Sequence, residues 1–467
     1  MASKEDREIH KSARDIISQL SIVLRTANIH DLGNIAVKTA IDKFLSLINP
    51  LIESERSILL ELIGEFFYMN GTRVRYSLEY LLNFGFLVWE FKKREIGSVI
   101  FKSIVSPADI DLFLKAFIVS GSSKDPYETM FEEMAESKSI GIDKLKKIKE
   151  EEQVDTRDMI KKTYFNAVSY IRELTNKIKL GEKVNIKKAK RIVETIVEQL
   201  LEGEQFLLAM TAIKDYDEYT YHHSVNVSIL SIALGQRLGL SRKMLTEIGL
   251  AALFHDIGKI EIPNEVLNKP TNFNDDEWKI IRRHPVWGLR AILRLRGFDS
   301  TAIRAAIVAF EHHIYCDHSG YPKTKKYLDI DLYSRIVTIA DQYDAMTSSR
   351  VYSRIPIAPD KALSIMMERT GTQLDPLFFK FFINLVGIYP VGTLVMLDTK
   401  EFGLVYECNI VFSERPKVLI IVDKDGKKVQ GPIVNLAEKD GNDRYLRSIV
   451  KTLDLNKYKI NLAEYLL

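Results

Sequence analysis

The segment AALFHDIGK, from Ala251 to Lys259, places an imidazole, a carboxylate and an ammonium within five consecutive positions. Apolar residues recur at helical spacing up to and through this segment, which predicts an amphipathic helix. On such a helix Lys259 would project between His255 and Asp256, because successive residues are about 100° apart. The group is typical of a solvated salt bridge or of one half of a metal site, and the segment alone leaves both interpretations open.

Histidine is concentrated in one part of the chain, since seven of the nine lie between His222 and His318. Imidazole and carboxylate together suit first-row transition ions, and a carboxylate can bridge two of them. A tetrahedral ion needs about four ligands, whereas the segments YTYHHS, HDIGK, RRHP, EHH and IADQYDA offer at least seven. Two neighbouring ions clamp a phosphoryl group and generate a hydroxide, so these residues predict a metal-dependent phosphohydrolase or phosphodiesterase.

Composition limits the other possibilities. The 467 residues are enough for two or three domains, and 46% hydrophobic with 28% charged residues is the balance of a soluble protein. A net charge of +3 gives no indication of binding to a nucleic acid polymer. Two distant cysteines, a polar N-terminus and apolar stretches interrupted by polar residues predict a cytoplasmic protein without a membrane span.

Helical patterns dominate the chain, with β-signals near both ends. Asn70-Gly71 between two strand-like runs predicts a hairpin, and Ile96–Lys102 reads as another strand. Ser106, followed by proline, predicts a helix N-terminus. We therefore expect a mostly α chain with four parts: a helical α+β module of unknown role (1–120), a charged linker with connecting helices (121–204), a helical core that carries the histidines (205–390) and a small β-rich extension (391–467).

The order and spacing of YTYHHS, HDIGK, HP, HH, GYP and ADQYDA resemble the HD-GYP family, a branch of the HD phosphohydrolases that hydrolyse the bacterial messenger cyclic di-GMP. The resemblance covers residues 205–390, about 40% of the chain. It implies a helical HD core that linearises cyclic di-GMP through a hydroxide bridging two divalent ions, iron or manganese. The β-rich tail also resembles the extension that follows this domain in some members.

The resemblance assigns the ligands residue by residue. One ion would be bound by His223, His255, Asp256 and Asp341. The other would share Asp256, as the bridge, and add His284, His312 and His313. Lys259 matches the lysine that contacts the substrate phosphate, so Asp256 and Lys259 are the implied catalytic residues.

Further substrate contacts are implied for Arg350 and for the loop Gly320, Tyr321 and Pro322 at the mouth of the site. That loop is also where family members meet GGDEF cyclase domains, so a cyclase is an implied partner beside cyclic di-GMP. The resemblance leaves open the oligomeric state, the general acid and the input sensed by the N-terminal module.

The same loop departs from the family pattern His-His-Glu-Arg-x-Asp-Gly-x-Gly-Tyr-Pro. Ile314 and Tyr315 replace Glu-Arg, and His318 replaces the first glycine, where a left-handed backbone would suit histidine less well. Two alternatives therefore remain beside cyclic di-GMP hydrolysis. The chain could be a non-hydrolysing cyclic-dinucleotide receptor or cyclase-binding scaffold, or it could hydrolyse another cyclic dinucleotide or a nucleotide phosphate.

Three neighbours of the motif residues receive separate interpretations. His222 is out of phase with the motif and is expected not to be a ligand. Asp344 lies one helical turn from Asp341 and is expected to support a ligand or to act as a cap. Some family members bind a third ion through a glutamate one turn before the first histidine. Tyr219 holds that position here, which favours two ions, and the linear dinucleotide as the product.

Overall fold

The structure is a computed structural model. It describes residues 4–63, 66–74, 81–145, 150–182, 186–212, 219–269, 271–294, 300–324, 329–348, 356–409, 412–429, 431–458, 460, 462 and 465. They group into two compact units, Met1–Glu152 and Gln153–Leu467. None of the described helices combines the length and the apolar composition needed to cross a bilayer.

The first unit contains five helices and one antiparallel sheet among its described residues. The helices are α1 (Lys4–Ile29), α2 (Ile35–Glu55), α3 (Leu81–Lys93), α4 (Pro107–Ser120) and α5 (Pro126–Glu133). The strands are β1 (Ile58–Ile63), β2 (Phe66–Met69), β3 (Thr72–Arg73), β4 (Ile96–Phe101) and β5 (Ile140–Lys144). The sheet order is β3-β2-β1-β4-β5, with every pair antiparallel.

Local signals account for much of this unit. Asn70 and Gly71 have φ values of 48° and 73° and turn β2 into β3, as the hairpin prediction requires. Ser106 caps α4, and its hydroxyl and backbone pair reciprocally with Asp109. Within the stretch expected to be a charged linker, α5 and the edge strand β5 form instead, and Ile140 of β5 is buried.

The second unit is a helical assembly that carries a second sheet. Its helices are α6 (Glu150–Lys179, which begins at the boundary), α7 (Ile186–Ala212), α8 (Tyr219–Arg237), α9 (Arg242–Leu253), α10 (Asn264–Leu267), α11 (Asp275–Ile281), α12 (His284–Arg294), α13 (Ser300–Glu311), α14 (Leu332–Thr347), α15 (Pro359–Glu368), α16 (Pro376–Val386) and α17 (Leu455–Tyr458). The strands β6 (Leu394–Leu397), β7 (Phe402–Glu407), β8 (Lys417–Val422), β9 (Ile433–Asn435) and β10 (Ile449–Leu453) pair antiparallel in the order β10-β6-β7-β8-β9. The predicted fold class, mostly α with an α+β N-terminal part and a β-rich C-terminal part, is confirmed.

Helix α8 is the centre of the helical assembly. Residues 222–237 are all buried, and α8 packs against α7, α9, α14 and α16. A helix surrounded on all sides loses water around its polar residues as well as its apolar ones. His223 and Asn226, which α8 carries into this interior, therefore need partners from neighbouring helices.

The helix predicted through Lys259 is shorter than expected, and this part of the sequence analysis is wrong. Helix α9 ends at Leu253, His255 and Asp256 lie in the following turn, and Ile257–Glu261 form a 3-10 helix. The backbone of Gly258 packs directly on the start of α12. A Cβ at position 258 would lie 2.0 Å from the carbonyl oxygen of His284. This close approach ties the turn that carries Asp256 to α12.

Replacing Gly258 with alanine should destabilise the second unit by about 1–3 kcal/mol, because the added methyl group overlaps backbone atoms that cannot move independently. Thermal unfolding followed by circular dichroism measures the effect. Gly441→Ala is the matched control, since a Cβ there would meet no atom within 4 Å. Equal melting temperatures for the two variants would contradict the close packing.

Candidate metal centre

Seven imidazole and carboxylate side chains from separate elements of the second unit meet in one cluster. His223 lies on α8, His255 and Asp256 follow α9, His284 begins α12, His312 and His313 follow α13, and Asp341 lies on α14. All are buried except His313, which is partly exposed. The structure thus brings together all seven residues that the sequence analysis assigned as ligands.

Asp256 divides the cluster into two groups of side chains whose potential ligand atoms lie within 4.8 Å of one another. Its Oδ2 atom lies 3.6 Å from Nε2 of His223 and 3.4 Å from Nε2 of His255. Its Oδ1 atom lies 3.3 Å from Nε2 of His284 and 3.8 Å from Nε2 of His312. Each carboxylate oxygen therefore faces a different set of imidazoles, which is the arrangement of a bridging ligand.

Asp341 lies beside the first of these groups. Its Oδ1 atom is 3.1 Å from Nε2 of His223 and 3.8 Å from Nε2 of His255. Its Oδ2 atom is 4.0 Å from Nδ1 of His313, on the side of the second group. Asp341 is thus placed to complete the first group while it also borders the second.

Three of the imidazoles are oriented by carbonyl groups at the ends of helices. Nδ1 of His255 donates to Ala252 O (2.6 Å), that of His284 to Ile281 O (2.8 Å) and that of His312 to Ala309 O (3.0 Å). These carbonyls lie in the last turns of α9, α11 and α13, where helices leave acceptors unsatisfied. A carbonyl can only accept, so each Nδ1 carries the proton and each Nε2 presents a lone pair to the centre.

Two atoms of the cluster show that a cation fits here. Nε2 of His255 and Oδ1 of Asp256 are buried, and neither has a hydrogen-bond partner among the described residues. Buried polar atoms in that condition are costly, and a metal ion satisfies both. The nitrogen and oxygen donors suit a divalent first-row ion, so this cluster can hold one.

Electrostatics favours the metal-binding forms of three cluster side chains, Asp256, His284 and His312. Burial lowers the pKa of His284 to about 3 and that of His312 to about 4. Burial alone would raise the pKa of Asp256, but the charge of Lys259 holds it well below its ordinary value. At neutral pH His284 and His312 are therefore neutral and Asp256 is ionised, as metal coordination requires.

Asp344 supports His223 from behind, as the sequence analysis expected. Its Oδ2 atom lies 2.7 Å from Nδ1 of His223, and its Oδ1 atom accepts from Nδ2 of Asn226 at 3.0 Å. The carboxylate thereby directs Nε2 of His223 toward Asp256 and Asp341. Sequence reasoning did not identify Asn226, because it is only one of several polar residues on this helix.

Replacing Asp344 with asparagine should weaken metal binding by roughly 10- to 100-fold, the usual cost of losing the group that orients a histidine ligand. Titration with Mn²⁺ measures the affinity. Asp360→Asn provides a control of the same chemistry, because Asp360 accepts from Thr452 on β10 and is not part of the cluster. Equal Mn²⁺ affinity in the Asp344 and Asp360 variants would show that Asp344 does not orient a ligand.

Lys259 lies on the 3-10 helix beside Asp256. Its Nζ atom donates to Oδ2 of Asp256, and its side chain remains partly exposed. The ammonium is therefore adjacent to the cluster and is also within reach of solvent. Arg350, the other predicted cationic contact, lies outside the described residues. Tyr219 begins α8, but its side chain lies outside them as well.

The loop Ile314–Pro322 folds back onto the cluster. The amide of Tyr321 donates to His313 O (3.0 Å), and the Tyr321 ring lies 4.6 Å from the His313 ring. Gly320 has a φ of 83°, and a Cβ there would lie 2.2 Å from His313 O, so only glycine fits. His318 has a φ of 59°, which confirms the left-handed position expected for it.

Comparison with known proteins adds to these observations. A family model described as an HD domain matches residues 206–377. The chain is 37% identical over 252 residues to "Cyclic di-GMP phosphodiesterase PA4108" of Pseudomonas aeruginosa, an alignment that covers 52% of this chain and 60% of that protein. It is 32% identical over 218 residues to "Cyclic di-GMP phosphodiesterase" of Thermotoga maritima, covering 46% of this chain and 56% of that protein.

A third relative carries a different name. The chain is 33% identical over 172 residues to "3'3'-cGAMP-specific phosphodiesterase 3" of Vibrio cholerae, which covers 37% of this chain and 36% of that protein. The chain thus spans about three fifths or less of the length of these relatives. The matched region contains the whole cluster and the Gly320-Tyr321-Pro322 loop. The chain therefore contains an HD domain, and that domain carries the Gly-Tyr-Pro tripeptide.

Proposed function

We propose that this chain is a metal-dependent phosphodiesterase that hydrolyses cyclic di-GMP to the linear dinucleotide, with two divalent ions, iron or manganese, at the cluster. The observation that carries the proposal is the position of Asp256, whose two oxygens face separate sets of imidazoles. The names of the relatives from Pseudomonas aeruginosa and Thermotoga maritima support cyclic di-GMP as the substrate.

The chemistry divides between the ions and the side chains. When bound, two divalent ions would polarise the phosphodiester and supply an activated water. Asp256 would hold both ions, and the imidazoles with protonated Nδ1 would present their Nε2 atoms to them. Lys259 supplies a positive charge beside the reacting phosphate, where negative charge grows in the transition state. Tyr321, which lies over His313, borders the substrate side of the centre.

The donor set supports the choice of metal. The cluster offers nitrogen and oxygen atoms from seven side chains and no thiolate, whereas structural zinc sites are usually four-coordinate and rich in cysteine. Histidine and carboxylate donors suit iron and manganese. We propose Tyr219 as the reason for two ions, because a phenol is a poorer ligand at neutral pH than the glutamate it replaces.

One observation favours a second substrate. The relative named as specific for 3'3'-cGAMP is 33% identical over 172 residues, and Ile314, Tyr315 and His318 depart from the usual substrate loop. A change in these loop residues would alter base recognition more readily than metal chemistry, since none of the three is among the seven proposed ligands. Hydrolysis of 3'3'-cGAMP is therefore the competing activity, and binding without hydrolysis is the remaining alternative.

The test is to incubate protein purified under low oxygen and loaded with Fe²⁺ or Mn²⁺ with cyclic di-GMP, 3'3'-cGAMP and cyclic di-AMP. Chromatography should show the linear dinucleotide from cyclic di-GMP as the main product, with GMP formed slowly or not at all. Protein stripped with a chelator should be inactive. Preferential cleavage of 3'3'-cGAMP would show that it, and not cyclic di-GMP, is the substrate. Binding without cleavage would indicate a receptor. Rapid release of GMP would contradict the linear dinucleotide as the product.

A further inference from the structure

A buried chain of hydrogen bonds runs from helix α6 to the metal centre. The hydroxyl of Tyr164 on α6 donates to Oδ1 of Asn226 at 2.8 Å. Nδ2 of Asn226 donates to Oδ1 of Asp344 at 3.0 Å, and Oδ2 of Asp344 lies 2.7 Å from Nδ1 of His223. Side chains of three helices, α6, α8 and α14, are thus connected by hydrogen bonds that lead to His223.

The polarity of these bonds follows from the geometry. The amide nitrogen of Asn226 faces Asp344 and its amide oxygen faces the Tyr164 hydroxyl, so the amide donates to the carboxylate and accepts from the phenol. The hydroxyl of Tyr164 then has to donate to Asn226, and Nδ1 of His222 lies 3.0 Å from the same hydroxyl, where it can donate in turn. The Tyr164 hydroxyl therefore favours one of the two orientations of the Asn226 amide.

The side chains that form this chain of hydrogen bonds are fully buried, so each pays a desolvation cost that only its hydrogen bonds offset. Tyr164, Asn226 and Asp344 are each 0% exposed, so none of them can exchange its partner for bulk water. Burial and the charge of Asp344 raise the pKa of Tyr164 far above its ordinary value, which keeps the hydroxyl protonated as a donor. Phenylalanine would fill the same space on α6 without a polar atom to satisfy. The hydroxyl is therefore more than a packing group.

We propose that Tyr164 is a positioning residue of the metal centre: through Asn226 and Asp344 it holds the imidazole of His223 in the orientation and tautomer that bind metal. The inference rests on the proposed function, because it assumes an ion at Nε2 of His223. It extends the site to a helix that lies outside the motifs of the family and outside residues 206–377. It also gives His222 a role, as a donor to Tyr164 and not as a ligand.

The test is Mn²⁺ affinity, measured by calorimetric titration of the metal-free 467-residue chain. Tyr164→Phe should weaken binding by roughly 3- to 10-fold, the loss expected from one buried hydrogen bond. Tyr170→Phe is the matched control, because it removes a hydroxyl from the same helix that bonds the backbone of Ala189. Circular dichroism checks that both variants are folded, and Asn226→Ala provides a second break in the same chain of bonds.

Double variants separate positioning from general destabilisation. If Tyr164 acts through Asp344, the Tyr164→Phe change should have little further effect on Mn²⁺ affinity once Asp344→Asn is present. Additive effects, or an unchanged affinity in a folded Tyr164→Phe protein, would overturn the proposal. The measurement needs no substrate, so a protein that binds Mn²⁺ normally but cleaves no cyclic dinucleotide would contradict the proposed activity and leave this inference intact.

Discussion

Replacing Asp256 with alanine should remove both ions and lower cyclic di-GMP hydrolysis by about 10³-fold or more. Each oxygen of the Asp256 carboxylate faces a different set of imidazoles, so the substitution removes a ligand atom from both groups at once. Metal ions contribute several kcal/mol to transition-state stabilisation, and roughly 1.4 kcal/mol corresponds to tenfold in rate. Elemental analysis of protein purified under low oxygen, together with initial rates, measures both effects.

Two comparisons make the Asp256 result specific. His284→Ala should lose mainly one ion, because His284 faces only Oδ1 of Asp256. Asp276→Ala should lose neither, since Asp276 is exposed on α11 and pairs with Lys279 at the surface. Full metal content in the Asp256 variant would contradict the bridging role and, with it, the two-ion centre.

Replacing Lys259 with alanine should leave the ions in place and reduce turnover by roughly 30- to 1000-fold. The ammonium is not a ligand, and removing one charged donor to a transition state costs on the order of 2–4 kcal/mol. Because Lys259 also pairs with Asp256, its removal could alter the site itself. Metal content is therefore measured on the same samples as the cyclic di-GMP kinetics.

Lys279→Ala is the control for Lys259, because it removes an ammonium paired with an aspartate three residues away but lies on the exposed face of α11. Lys259→Arg, which keeps the charge but changes its shape, should retain part of the activity. If Lys259→Ala hydrolyses cyclic di-GMP at the rate of the Lys279 variant with equal metal content, Lys259 serves only to pair with Asp256.

The features that were predicted correctly from the sequence depend on interactions between residues only a few positions apart. Asn70-Gly71 determines its turn through its own φ values, and Ser106 caps α4 through Asp109. The turn at Asp256 could not be predicted in the same way. Its course depends on Gly258 meeting the backbone of His284, which is distant in sequence, and helical periodicity carries no information about that contact.

The candidate site shows the same limit. The residue types of the cluster, such as His255 with Asp256, were sufficient to suggest a metal centre. Their division between two ions was taken from the family resemblance and not from spacing. The hydrogen bonds that orient the His223 imidazole could be identified only in the structure, because Asn226 and Asp344 are separated by 118 positions. Hydrogen bonds at such separation leave no periodic signal in a sequence.

The distribution of the seven cluster residues over α8, α14 and three segments that begin or follow other helices links ion binding to folding. An unfolded chain cannot hold His223 and Asp341 at one ion, so ions bind the native state alone. Free ion at 100 times its dissociation constant would then contribute about 2.7 kcal/mol per site to the free energy of unfolding. The thermal resistance of this protein is therefore a function of metal supply, and starvation for metal would deplete the folded protein as well as its activity.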